Sequence, residues 1–358
     1  MYQLSPARER SLLWLLAATQ FTLIMDFMVM MPLGPQIMQA FRIGPADFAA
    51  AVSAYSICAG LSGLFAATYI DRFDRRSLML VVFSLFTLSN LACALAPNYA
   101  MLLASRAFAG LTGGVMGSII MAIVGDVIPN ERRGAATGVI MTAFSIAAVA
   151  GVPAGVVLGA HLGWAAAFYL LVLFSLIVLG AGVWLVPSLR AHLDQAPVPL
   201  SRVVPNLLAL ISKPAHMQAF ALVFIMLVSQ MMIIPFISPV LVANHGVQPQ
   251  QISWIYMAGG AATFFTARRV GALTDRHGKQ RVFRLVALLS IAPILMITHL
   301  PDLPFWGLLV FFPLFMVMVS SRMIPMQALM TTVPAAEQRG AFLSVNSAIM
   351  SLGSGCGA

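Results

Sequence analysis

Three charged residues sit inside long apolar stretches of the chain: Asp26, Arg106 and Arg322. A charge in a bilayer core costs several kcal/mol or forces its side chain toward the interface, so such residues mark sites of proton, ion or substrate handling. Asp26 lies 14 residues into an apolar run that begins near residue 12, which is about 21 Å along a helix. Arg106 lies 8 residues in from the opposite face, about 12 Å deep. In hydrocarbon about 30 Å thick the two depths nearly coincide. Burial favours a neutral carboxyl and a neighbouring guanidinium favours an ionised one, so the pair has the chemistry of a proton switch. A structural ion pair between two helices is the alternative. Arg322 stands 10 residues from the end of a third run. Gln20, Gln230 and Gln327 add neutral polar groups that can hydrogen-bond a substrate or equally bridge helices.

Such depths require helices long enough to span a membrane. The chain has 358 residues, 60% hydrophobic and 9% charged, against roughly 25% charged in a soluble domain. Stretches such as 134–189 hold no Asp, Glu, Lys or Arg. With about 20 apolar residues per crossing, that stretch holds two spans. Eleven spans are expected, over 12–40, 46–69, 77–96, 99–127, 134–160, 164–187, 214–243, 250–272, 282–300, 304–332 and 340–358. The ten-residue alternation of a membrane β-barrel is not present in the sequence, and an all-α polytopic membrane protein is expected. The net charge of +9 sits in short clusters between apolar runs, which fits membrane orientation and not nucleic-acid binding. Cys58, Cys93 and Cys356 lie in apolar runs and read as packing residues. The first apolar run continues to Asp26 without a small-residue cleavage site, so it reads as a retained helix. The sequence shows no nucleotide loop, metal cluster or nucleophile triad, so no cofactor and no enzymatic activity are expected. The 23 Met residues suit a cavity for varied shapes, or simply fill a membrane core.

The chain also repeats itself. ATYIDRFDRR and GALTDRHGKQR place Asp71 and Asp275 204 residues apart, and PNERRG and AAEQRG recur 206 apart. Pro32 and Pro235, 203 apart, extend the pattern. Two parallel six-span halves follow, 1–187 and 214–358, joined by a polar, Pro-rich linker at 188–213. The C-terminal half holds five of its six spans; a twelfth helix is expected beyond residue 358. Lys and Arg fall at the N-terminus, in the linker and in alternate loops, while Arg42 stands on the other side. By the positive-inside rule the N-terminus and linker are cytoplasmic, in a cell inner membrane.

Two six-helix halves, a central linker and a doubled Asp-Arg phrase resemble the major facilitator superfamily. The family's loop signature is matched by Gly271, Asp275, Arg276, Gly278 and Lys279; the first copy, with Asp71, Arg72, Arg75 and Arg76, has Ala67 and Asp74 where Gly is usual. Asp tolerates a left-handed backbone, which would preserve the turn. RAFAGLTGG, with Arg106 and Gly110, resembles a second family phrase. GVPAGVVLG, with Gly151, Pro153, Gly155 and Gly159, resembles the signature of proton-driven drug and sugar efflux antiporters. The resemblance implies a small-molecule transporter exchanging substrate for protons in the lipid bilayer, with no nucleic acid, as a monomer. It implies a latch in which Asp71 faces the helix after Gly340, Asp275 faces the helix after Gly134, and Arg75 or Arg76 pairs with Asp126. Loop charges serving topology alone are the alternative. The three glycines share a face able to approach 259–262 closely, or simply to pack. A symporter or facilitator of an organic anion or neutral solute is the second transport reading, since the three interior charges sum to +1. A non-transporting receptor or scaffold is the third.

Overall fold

The computed structural model describes residues 4–129, 132–190, 193, 205, 208–299, 303–335 and 338–358. Most of the expected linker lies outside the described residues. Among them the chain forms helices α1 (Pro6–Val29), α2 (Gly34–Phe41), α3 (Pro45–Tyr69), α4 (Arg75–Ala94), α5 (Tyr99–Val127), α6 (Arg133–Ile146), α7 (Val152–Leu162) and α8 (Ala165–Leu185). The second half supplies α9 (Pro214–Met231), α10 (Ile237–His245), α11 (Pro249–His277), α12 (Lys279–Thr298), α13 (Phe305–Ser321), α14 (Met323–Met330) and α15 (Arg339–Gly357). Nine described helical segments are long and apolar enough to cross a membrane. The other two expected spans are α11, which carries exposed Arg268 and Arg269, and the Ser- and Gly-rich α15.

Four expected spans are interrupted, three of them at or near a proline. A proline removes a backbone donor and crowds the preceding turn. Pro32 lies between α1 and α2, and Pro235 between α9 and α10. The run from 304 to 332 breaks at Arg322, three residues before Pro325. Between α6 and α7 the chain makes a π-turn at Ala147–Gly151, one residue wider than the α-helical turn. Helix starts follow local chemistry: Pro6, Pro45 and Pro214 occupy first-turn positions where no donor is missed, and the Asn98 side chain accepts from Met101 N–H at 2.9 Å.

Packing inside the first half centres on α3 against α5. Gly110 and Gly114 let the two backbones touch: a Cβ at Gly110 would strike the Tyr55 carbonyl, and one at Gly114 the Ala59 carbonyl. Without a hydrophobic force between helices in lipid, such close approach is what holds them together. Across the halves α15 packs on α3, where Gly60 faces Leu352 and Gly355 faces Ile57. Gly260 of α11 approaches the Ala148 carbonyl, a Cβ there lying 2.6 Å from it. Gly34 and Pro239 meet at the end away from the Asp71 loop, 3.4 Å apart by the same measure. These contacts close the bundle through its middle and at the Gly34 end. Apolar side chains such as Ile177 and Trp184 of α8 face outward, as a lipid-exposed surface requires.

Gly110→Ala is expected to force α3 from α5 and destabilise the protein by about 1–3 kcal/mol, the range for overpacking. Thermal unfolding of the purified protein checks this, with Gly117→Ala, where a Cβ meets nothing within 4 Å, staying near the parent.

Candidate functional site

Asp26 of α1 and Arg106 of α5 meet in the interior. Arg106 donates from Nη1 to Asp26 Oδ1 at 2.6 Å, with the side chains 1% and 0% exposed. The second carboxylate oxygen, Oδ2, and Arg106 Nε have no hydrogen-bond partner. The guanidinium lies over the Tyr55 ring, 4.5 Å from its centroid. Desolvated, that cation–π contact is worth about 2 kcal/mol. Tyr55 donates in turn to the Leu23 carbonyl at 3.4 Å and stacks with Phe27 at 5.7 Å. Tyr55 therefore ties the pair to both α1 and α3. It is a site residue that sequence reasoning missed, because an aromatic in an apolar run carries no signal of its own.

The interior polar groups of the second half are arranged differently. Arg322 is 9% exposed at the α13–α14 break, with its Nε unpartnered. Gln230, one residue before the end of α9, has an unpartnered buried Oε1, and Thr263 in α11 an unpartnered Oγ1. Thr263 was also missed in the sequence. Gln327 is exposed and donates to Met350 Sδ at 3.3 Å, so it contacts α15; Gln20 is half-buried.

Residues 16–358 match the sequence family described as Major Facilitator Superfamily. The chain belongs to the major facilitator superfamily. Its members are transporters and not enzymes, and the chain is a multi-pass membrane protein with the fold of a secondary transporter. Among curated relatives, an uncharacterised MFS-type transporter of Mycobacterium tuberculosis is 31% identical over 180 residues, covering 50% of this chain and 31% of the relative. The chain thus spans about a third of that relative's length. Among solved structures, a bacterial homolog of the human lysosomal transporter Spinster, inward-facing and unoccupied, has a TM-score of 0.79 at 16% identity, covering 99% of this chain and 81% of the other. A D-xylose–proton symporter scores 0.76 at 14% identity, covering 96% and 88%. The human organic anion transporter MFSD10 scores 0.72 at 18% identity, covering 99% and 92%.

The superfamily's loop phrases take different roles in the two halves. Arg75 donates to Asp71 Oδ1 at 2.6 Å and to Asp126 Oδ2 at 3.0 Å, and also to the Ile70 carbonyl. Arg76 instead donates to the Val183 carbonyl of α8 at 2.6 Å. Asp71 is 59% exposed and bonded within its own half, and Asp275, Arg276 and Arg72 are also exposed. Asp74 has φ −57°, so the expected left-handed turn is not what it provides. Its carboxylate instead caps α4, accepting from Ser77, Ser188 and the Leu189 N–H. Partial burial pushes the Asp74 carboxyl up, but those hydrogen bonds outweigh it and hold the group below its ordinary value. Gly278, at φ +89°, supplies the true left-handed turn between α11 and α12, followed by half-buried Lys279. A Cβ at Gly271 would meet nothing within 4 Å.

The glycine helix α7 corrects another expectation. Gly151 faces Phe21 and Met25, Gly155 faces Val29, and Gly159 faces Leu33, so this face packs against α1 and its break, not against 259–262. The π-turn rotates α7 relative to α6 and leaves the Ala148 carbonyl for Gly260. Pro153 lines an open apolar groove with Val157, Trp254 and Met257 between α7 and α11.

Arg106→Ala would leave Asp26 buried without its partner, a loss of about 3–5 kcal/mol. The double variant Asp26→Asn, Arg106→Gln removes both charges and is expected to recover most of that loss in thermal melts. Strictly additive losses would mean that the two residues do not form a pair.

Proposed function

We propose that the protein is a proton-coupled antiporter that exports small molecules by alternating access, with Asp26 and Arg106 as the coupling pair. The observation that carries this reading is the buried Asp26–Arg106 bond, whose remaining polar atoms Oδ2 and Nε have no partner. In the paired state Asp26 is ionised and its charge cancelled. When the halves rock, Arg106 moves away and a proton takes its place, because a lone carboxylate in the bilayer core is far more expensive than a neutral one. Substrate competing for the same interior then gives exchange. A monomer carries the whole cycle, in an inner membrane with the N-terminus cytoplasmic.

The loop phrases act as the latch. With the bundle closed at the Gly34 end, Asp71 is held by Arg75 within its half and Asp275 is free of the interior. Closure at the loop end would bring Asp71 and Asp275 to the starts of α15 and α6, where helix dipoles favour an acid. The second reading is a symporter or facilitator. It is supported by Arg322, which takes no part in the Asp26 hydrogen bond and so leaves room for substrate and proton to be bound together.

The test needs no substrate. Spin labels at the exposed positions Ala135 and Gln280, with native cysteines replaced, report the distance between halves at the loop end. The distribution is expected to shift between mildly acidic and mildly alkaline buffer. Asp26→Asn should hold it at the acidic distribution throughout. An Asp26→Asn protein that follows pH as the parent does would place the coupling site elsewhere.

A further inference from the structure

Among the described residues, Arg322 has no counter-ion. Between residues 214 and 358 the only acids are Asp275, Asp302 and Glu337, and none lies within α13 or α14. Asp275 is exposed at the loop end; the other two lie outside the described residues. The ion pairs Arg75–Asp71, Arg75–Asp126, Arg106–Asp26 and Arg132–Glu9 all lie in the first half. Arg322 is nonetheless nine-tenths buried, with Nε lacking an acceptor.

The internal repeat sharpens the contrast. At the 206-residue offset of the neighbouring loop phrase, Arg322 falls opposite Met116, a buried apolar residue in the unbroken α5. The second half has both inserted a cation and broken the helix there. Breaks also follow Asp26, where α1 ends at Val29, and Gln230, where α9 ends at Met231. Discontinuous helices near the midplane border substrate sites in transporters of this kind. An unpaired guanidinium in an apolar interior is costly, and an anion supplied from outside the chain would cancel it. Its planar fork binds a carboxylate or phosphate through two parallel N–H···O bonds, which selects oxyanions over neutral solutes.

We infer that the transported solute is an organic oxyanion whose carboxylate or phosphate is bound by Arg322. This rests on the reading of the interior as a substrate pathway. One bound monoanion cancels the +1 sum of Asp26, Arg106 and Arg322, so the loaded interior carries no net charge. Met323, half-buried beside the arginine, offers soft apolar contact for the rest of the solute.

The experiment follows phenylglyoxal modification of Arg322 by peptide mass spectrometry, using the full chain in nanodiscs. Benzoate or phenyl phosphate is expected to slow the reaction by about threefold, as when roughly two-thirds of sites are filled, with benzamide having no effect. Exposed Arg276 serves as the internal control. Equal protection by benzamide, or none by either oxyanion, overturns the inference. Melting temperature gives a second readout independent of reagent access. Arg322→Gln should be at least as stable as the parent without ligand, and should lose the stabilisation that benzoate gives the parent. Equal stabilisation of both proteins, or of neither, also overturns it. The coupling reading is scored separately, since Asp26→Asn should keep the benzoate protection and Arg322→Gln should keep the pH response of the loop-end distance.

Discussion

A charge held away from water must be cancelled by something, and much of this molecule is arranged around where that cancellation occurs. Asp26 and Arg106 cancel each other across 2.6 Å with almost no exposed surface. Asp26 cannot lose Arg106 without a replacement, because the bilayer core offers none. On the proposed reading the pair is a two-state element: guanidinium beside carboxylate, or proton on carboxylate. The unpartnered oxygen and nitrogen mean that the paired state does not use all of its bonding capacity, so the difference between the two states is smaller than a fully satisfied network would impose.

The surrounding fold positions this element and lets its frame move. Tyr55 clamps the guanidinium from α3, and α3 lies on α5 at backbone contact because Gly110 and Gly114 leave nothing between them. The glycine face of α7 packs on α1 around Met25 and Val29, immediately beside Asp26. The same helix then reaches the second half through the π-turn, where Ala148 meets Gly260. On the proposed reading a displacement of the halves would reach α1 through these close contacts, without a chain of polar bonds.

The sequence displays charge and repetition well. Asp26, Arg106 and Arg322 stand out because their runs are otherwise apolar, and the recurring Asp-Arg phrase exposes the duplication. The superfamily follows from those features together. What stays hidden is side-chain choice among equivalents and the rotation of helices. Arg75 and Arg76 are adjacent and alike, yet only Arg75 bridges Asp71 and Asp126, because helix α4 turns its neighbour toward Val183. The facing of Gly151, Gly155 and Gly159 depends on a π-turn that no residue announces. Asp74 looked like a substitute for glycine and is a helix cap, since its carboxylate finds the donors of Ser77 and Leu189 nearby. Arg268 and Arg269 do not stand out as charges within a span because they follow an apolar stretch directly.

The central claim is that Asp26 exchanges Arg106 for a proton. Infrared difference spectroscopy on the reconstituted protein tests it most directly, comparing acidic and alkaline buffer and watching the carbonyl stretch of protonated carboxyls. The account predicts a band that appears on acidification, shifts in deuterium oxide, and is absent from Asp26→Asn. An acid-induced carboxyl spectrum identical in the parent and in Asp26→Asn would contradict it.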